Sequence, residues 1–192
     1  MNVFEAIEAR RSIGKVRSDR PERAQIEKLL EMAILAPNHH LTQPWRFFVV
    51  AGTARQELGA IMRANLAERL PETESEKAIA ALEKEQHKPL RAPVLIVVAC
   101  KHNQESKATE MEDIEATSAA TQNMLLAAQE LGLATVWRTG EAAYSHTVKA
   151  WLKLDPKDHI IGIIYLGYAA IPVSEREIRT YEDKTEWLGW SD

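Results

Sequence analysis

Three short stretches gather the residue types that handle anions, flat rings and hydrogen-bonded ligands. Arg10-Arg11-Ser12 sets two guanidiniums and a hydroxyl where an apolar helical pattern ends. A guanidinium offers a fork of N–H donors to phosphate oxygens, and a hydroxyl adds one more. Asn38, His39, His40, Thr42 and Gln43 crowd the loop of "APNHHLTQPWRFFVV" (residues 36–50), where a helix hands over to a strand. Trp137-Arg138-Thr139-Gly140 follows a buried apolar run, and strand ends in layered α/β proteins commonly hold ligands. Each cluster also has a plainer reading: solvated charge, a loop-to-strand turn, and a core tryptophan before a turn. Solvated charge suffices for Lys15, Arg20 and Arg23. For Gln43, in Gln-Pro-Trp, setting the turn and touching a cofactor both stay open. The three clusters together hold no nucleophile–base pair. They suit a large, flat, phosphorylated cofactor that carries the difficult chemistry itself.

Other chemistries find no support. No G-x-G-x-x-G follows a strand, and there is no G-x-x-x-x-G-K-[ST], G-x-S-x-G, C-x-x-C or H-E-x-x-H. Side chains at successive positions diverge, so His39 and His40 do not read as a chelating pair. His87, His102, His146 and His159 show no ligand spacing and read as surface or structural, so no metal is expected. The single cysteine, Cys100, ends the apolar run "APVLIVVAC" and reads as a buried thiol rather than a reactive one. One cysteine permits no internal disulfide, which fits a reducing compartment. A net charge of −4 exerts no global pull toward nucleic acid or anionic membrane. The longest apolar runs, near 93–100 and 160–171, fall short of the roughly 20 residues that span a bilayer. The N-terminal stretch carries acidic residues where a signal peptide needs an apolar core, so a soluble, cytoplasmic protein is expected.

The elements that must position these clusters follow from periodicity. At 192 residues, with no repeat, low-complexity tract or Gly/Ser linker, the chain reads as one domain over 1–192. Ile26, Leu29, Leu30, Ala33 and Ile34 form a 3.6-residue stripe, with Pro21 in the first turn of that helix and Pro37 stopping it. "RFFVVA" reads as a strand, residues 53–69 as a helix, and 73–87 as a charged helix polar enough for a mobile flap at about 70–90. "APVLIVVAC" is a second strand. Thr109 and Glu112 form a capping box for a long helix that Gly132 ends, rich in the small residues that let neighbours approach on more than one side. "LATVWR" is a third strand, then comes a helix over about 144–153, and "IIGIIYLGYA" is a fourth. Strands apolar throughout imply helices on both faces: an α+β sandwich of helix, sheet and helix.

Read in order, "EARRSIGKVRSDRP", "APNHHLTQPWRFFVV", "ELGLATVWRTG" and "IIGIIYLGY" resemble the nitroreductase family of FMN-dependent oxidoreductases, in its compact, His-containing branch. The likeness runs from about residue 4 to 170. It implies a mostly antiparallel central sheet and a homodimer whose flavin sites lie between subunits, with the helix at 109–131 as the natural interface. It implies that Arg10, Arg11 and Ser12 hold the FMN phosphate and ribityl chain or the polar edge of the ring. His39 would reach the flavin bound mainly to the partner, and Gln43 keeps its family position. Trp137, Arg138 and Thr139 would contact the cofactor from the strand end, and residues 127–132 match a region assigned to the nicotinamide. The implied activity is ping-pong hydride transfer from NAD(P)H to an electron-poor acceptor, with no side chain as classical acid or base. A flavin carrier or sensor without efficient turnover is the alternative. It is motivated by Leu41, where many members carry asparagine, and Leu35, where some carry arginine. Trp187 and Trp190, in a C-terminal extension at about 171–192, have no assigned role.

Overall fold

In the computed structural model, residues 1–173 and 180–190 are described, without the side chains of residues 142 and 143. The expected C-terminal extension therefore lies partly, at 174–179 and 191–192, outside the described residues. Helix α1 (Val3–Ala9) is capped by Asn2, and α2 (Arg23–Ala33) begins after Pro21 rather than on it. Glu22 is the N-cap there, its backbone N–H donating to Gln25 Oε1 at 3.0 Å. Strand β1 (Trp45–Ala51), helix α3 (Ala54–Ala67), helix α4 (Glu76–His87) and strand β2 (Val94–Cys100) follow. The long α5 (Glu110–Glu130) has the expected capping box, with Thr109 Oγ1 accepting from the Glu112 N–H and Glu112 from the Thr109 N–H. Then come β3 (Ala134–Arg138), α6 (Glu141–Tyr144), α7 (His146–Trp151) and β4 (His159–Gly167).

One expected helix, over 144–153, is divided. Ser145 leaves helical geometry to cap α7, accepting from the Val148 N–H, while its hydroxyl donates to Asn65 Oδ1 at 2.9 Å. A serine that bonds local backbone competes with helix continuation, which explains the break.

The sheet has the order β1-β2-β4-β3, antiparallel at every pairing. The alternation of side chains across the pleat builds two cores. Val94, Ile96, Val98, Ile164 and Leu166 face α2 and α5. Leu95, Val97, Ala99, Ile163 and Tyr165 face α3 and α7. All seven residues of β2 are buried for that reason, giving an unbroken apolar run. Helix α5 meets the sheet along Ala116, Thr117, Ala120, Thr121, Met124 and Ala128 and is flanked by α1 and α2. Cys100 is fully buried, as expected, and burial pushes its thiol up to about 11. No helix among the described residues is long and apolar enough to cross a membrane.

Candidate functional site

The residues after α1 are laid along the β3–β4 side of the sheet. Ser12 bridges Thr135 in parallel, with the Ile13 N–H donating to the Thr135 carbonyl at 2.8 Å. Val16 pairs with Ala169, and the Arg17 N–H donates to the Tyr168 carbonyl at 2.8 Å. This added edge brings Arg11 and Ser12 next to Arg138, although more than a hundred residues separate them in sequence.

Between them opens a cavity of about 650 Å³, lined by Arg11, Ser12, Lys15, Arg91 and Arg138 among others. Nη1 of Arg11 donates to the carbonyls of Glu8 and Arg10, which fixes the side chain. Its Nε is buried and has no partner among the described residues. A buried donor left unpaired costs about 1–3 kcal/mol, so an acceptor arriving there is favoured. The Arg138 guanidinium lies over the Tyr165 ring, 5.6 Å from its centroid. A Cβ at position 14 would come within 3.1 Å of Arg138 Nη2, so glycine leaves that arginine room. Four cations around a hydroxyl are a donor set for phosphate oxygens.

Not every expected residue joins them. Arg10 caps α1, half-buried, and is not among the described lining residues. Trp137 packs toward the α5 core and donates its indole N–H to the Ile161 carbonyl at 3.2 Å. Thr139 lines a smaller, adjoining cavity. Lys15, read from sequence as solvated charge, is indeed exposed, and it also lines the main cavity. Arg91 was not singled out at all. It ends the turn at Lys88–Arg91 just before β2, and no local pattern marks it. Arg17 and Arg23 do pair locally, with Asp19 and Glu27.

His39 and Gln43 belong to a different place. With Asn38 and Glu112, His39 lines a separate cavity of about 350 Å³ between the loop and α5. Its Nε2 lies 3.7 Å from Glu112 Oε1, whose carboxyl is held below the usual range chiefly by the Thr109 backbone N–H. Gln43 is exposed, and its backbone N–H donates to Asn38 Oδ1 at 2.9 Å. This loop feeds β1, at one edge of the sheet, whereas Arg138 ends β3 at the other. Three strand spacings, about 14 Å, separate those edges.

The loop is strained and firmly anchored. His40, Leu41 and Gln43 take φ of 51°, 54° and 45°, a conformation that side chains disfavour. Behind it stands Asp113 in the first turns of α5, 1% exposed. Its carboxylate accepts from the Thr42 hydroxyl at 2.6 Å and pairs with His102 Nδ1 at 2.8 Å. A carboxylate only accepts, so His102 presents its Nδ1–H there. His102 is thus structural, as its spacing suggested. Asp113 was missed in the sequence, where it is one acid among several at a helix start. Leu35 and Leu41, the departures from the family pattern, are 70% and 80% exposed.

Comparison with known proteins identifies the family and the fold. Residues 7–168 match the profile of the nitroreductase family. YdjA of Escherichia coli (strain K12), provisionally named an NAD(P)H nitroreductase, is 29% identical over 174 residues, 91% of this chain and 92% of its own. The structure of a nitroreductase-like family protein from Bacillus cereus superposes with a TM-score of 0.84 at 25% identity, covering 98% of this chain and 97% of that one. A protein of Desulfovibrio desulfuricans, provisionally named a nitroreductase and solved in complex with FMN, gives a TM-score of 0.74 at 28% identity, covering 100% of this chain and 99% of its own.

Proposed function

The chain belongs to the nitroreductase family, and from that premise we propose that it is an FMN-dependent oxidoreductase passing hydride from NAD(P)H to an electron-poor acceptor such as a nitroaromatic or quinone. The observation that carries this reading is the cationic cavity of Arg11, Ser12, Lys15, Arg91 and Arg138, with the Arg11 Nε buried and unpartnered. FMN held there would supply the hydride-carrying ring for a ping-pong exchange between nicotinamide and acceptor.

The residues present fit that group. Arg11 and Ser12 hold phosphate oxygens through the guanidinium fork and the hydroxyl, and Arg10 stiffens the turn that presents them. Arg138 and Thr139 hold the far side, with Arg138 supplying a fixed positive field for negative charge that develops on the ring. Trp137 keeps the strand end in register. His39 and Gln43 act on the flavin of a second copy, a reading supported by the sheet's width between them and Arg138 in one chain. The family is typically dimeric, and α5 with its half-buried Ala119, Leu126 and Ala127 offers the contact face. No side chain of the site is required as a general acid or base.

The test is the visible spectrum of the purified protein, before and after anaerobic NADPH or NADH. Flavin bands that bleach and return with a nitroaromatic or quinone support the proposal. Bands that persist unreduced favour the carrier or sensor. A colourless protein that takes up no FMN refutes both.

A further inference from the structure

Residues 180–190 are exposed throughout. Their described hydrogen bonds, such as that from the Thr185 hydroxyl to the Tyr181 carbonyl at 2.9 Å, join residues of the same segment. The segment nevertheless carries large apolar groups. Trp187 is 63% exposed, Leu188 89% and Trp190 72%, and Tyr181 is open as well. The two indoles lie 5.7 Å apart and tilted by 53°, so they form one apolar knob. An aromatic side chain covers about 150–250 Å² when buried, so these four groups together offer roughly 500 Å². An open apolar patch of a few hundred Å² or more marks an interaction site.

A receiving surface exists elsewhere on the chain. Between α2 and α5 runs a groove of about 390 Å³, lined by Met32, Leu35, Leu126, Ala127 and Leu131 among others. That volume lies within the range of pockets that enclose small flat molecules. The Met1 amino group pairs with Glu130 at 3.2 Å, which draws α1, with its exposed Val3 and Phe4, to the end of the groove. Asn123 and Glu130, also on the groove, offer acceptors for an indole N–H. No residue of 180–190 lines it, so within one chain the segment and the groove both stay uncovered. Leu126 and Ala127 belong to the face of α5 on which the reading above seats a second copy. We infer that residues 180–190 are an arm that docks on a second copy of this chain, seating the Trp187–Trp190 pair in that copy's groove between α2 and α5. The exchange is reciprocal, because a closed two-fold pair uses the same patches on both copies. Each partner of a stable interface buries about 800 Å², and the arm supplies more than half of that. The inference rests on the dimer in that reading and not on its flavin chemistry.

Sedimentation equilibrium of the full chain tests it, with an arm variant (Trp187→Ala with Trp190→Ala) and a groove variant (Leu35→Glu). All three positions are exposed in the single chain, so folding is not at stake, and matching circular dichroism spectra check that. Each variant raises the dimer Kd about a hundredfold or more, as expected when buried tryptophan anchors are lost. An equimolar mixture of the two pairs at least about tenfold more tightly than either variant alone, because the intact arm of one meets the intact groove of the other. A wild-type chain that stays monomeric overturns both the inference and the dimer. An arm variant that dimerises as tightly as wild type overturns the arm and leaves the dimer standing. Weakening in both variants with no gain on mixing also overturns it, because arm and groove then do not meet. A colourless protein that takes up no FMN yet shows the gain on mixing sinks the flavin reading and keeps this one.

Discussion

Replacing Asp113 by alanine tests whether the histidine loop is held from the helix behind it. The carboxylate is 1% exposed and takes two hydrogen bonds, from Thr42 at 2.6 Å and His102 at 2.8 Å. A hydrogen bond to a charged group contributes about 1.5–3 kcal/mol. Both partners are partly exposed, so water replaces some of what is lost and the lower end applies. Two bonds at that end give a loss of about 3 kcal/mol. In a chain of this size each kcal/mol moves Tm by roughly 2–4 °C, so Asp113→Ala lowers Tm by about 6–12 °C. The loop should respond as well. His40, Leu41 and Gln43 sit at positive φ, at roughly 1 kcal/mol or more apiece, and that strain persists only while something over-determines it. Without the anchor, limited proteolysis within 38–43 accelerates. Thermal melts of Asp113→Ala, Thr42→Val and the double variant separate the anchor from general damage. If the Thr42–Asp113 bond acts as described, the two losses overlap by about 1 kcal/mol. A Tm fall under about 2 °C, or strict additivity, refutes the reasoning.

Three further outcomes follow from packing. The raised Cys100 thiol means that the folded state holds its proton more tightly than the unfolded one; stability is complete below pH 9.0 and declines toward pH 11. The full decline is roughly 2–3 kcal/mol, and native protein resists iodoacetamide at neutral pH until denaturant exposes the thiol, as mass spectrometry would read. A Cβ at Gly162 would overlap the Trp137 indole, so Gly162→Ala displaces that ring, costs about 1–3 kcal/mol and shifts tryptophan fluorescence; an unchanged melt would contradict the contact. Lys153, at φ 55° just past α7, occupies a position that favours glycine, and Lys153→Gly gains about 0.5–1 kcal/mol by urea unfolding.

Much of this protein is local and therefore legible. The Thr109–Glu112 capping box, the stop at Gly132, the apolar run ending in Cys100 and the stripe of α2 each depend on neighbours within a few residues. A linear pattern records them directly. Their sum, strands buried on both faces with helices around them, determines the sandwich. The ordered motifs determine the family. The division at Ser145 was less visible, because it depends on Asn65, eighty residues earlier, accepting the serine hydroxyl.

The site required the tertiary structure. Lys15 reads as one more surface cation until residues 12–16 lie against β3 and it lines the same cavity as Arg138. Arg91 sits in unremarkable surroundings, and its charge acquires meaning only when the turn before β2 and the end of β3 line one cavity. Asp113 resembles its acidic neighbours in α5 until Thr42 and His102 converge on it. The sheet order β1-β2-β4-β3 separates His39 from Arg138 by three strand spacings, and no spacing along the chain encodes that order. Secondary structure follows from short-range sterics and burial periodicity, which the sequence carries. A binding site follows from which charges are left unpaired after packing, and pairing across the fold is settled only in three dimensions.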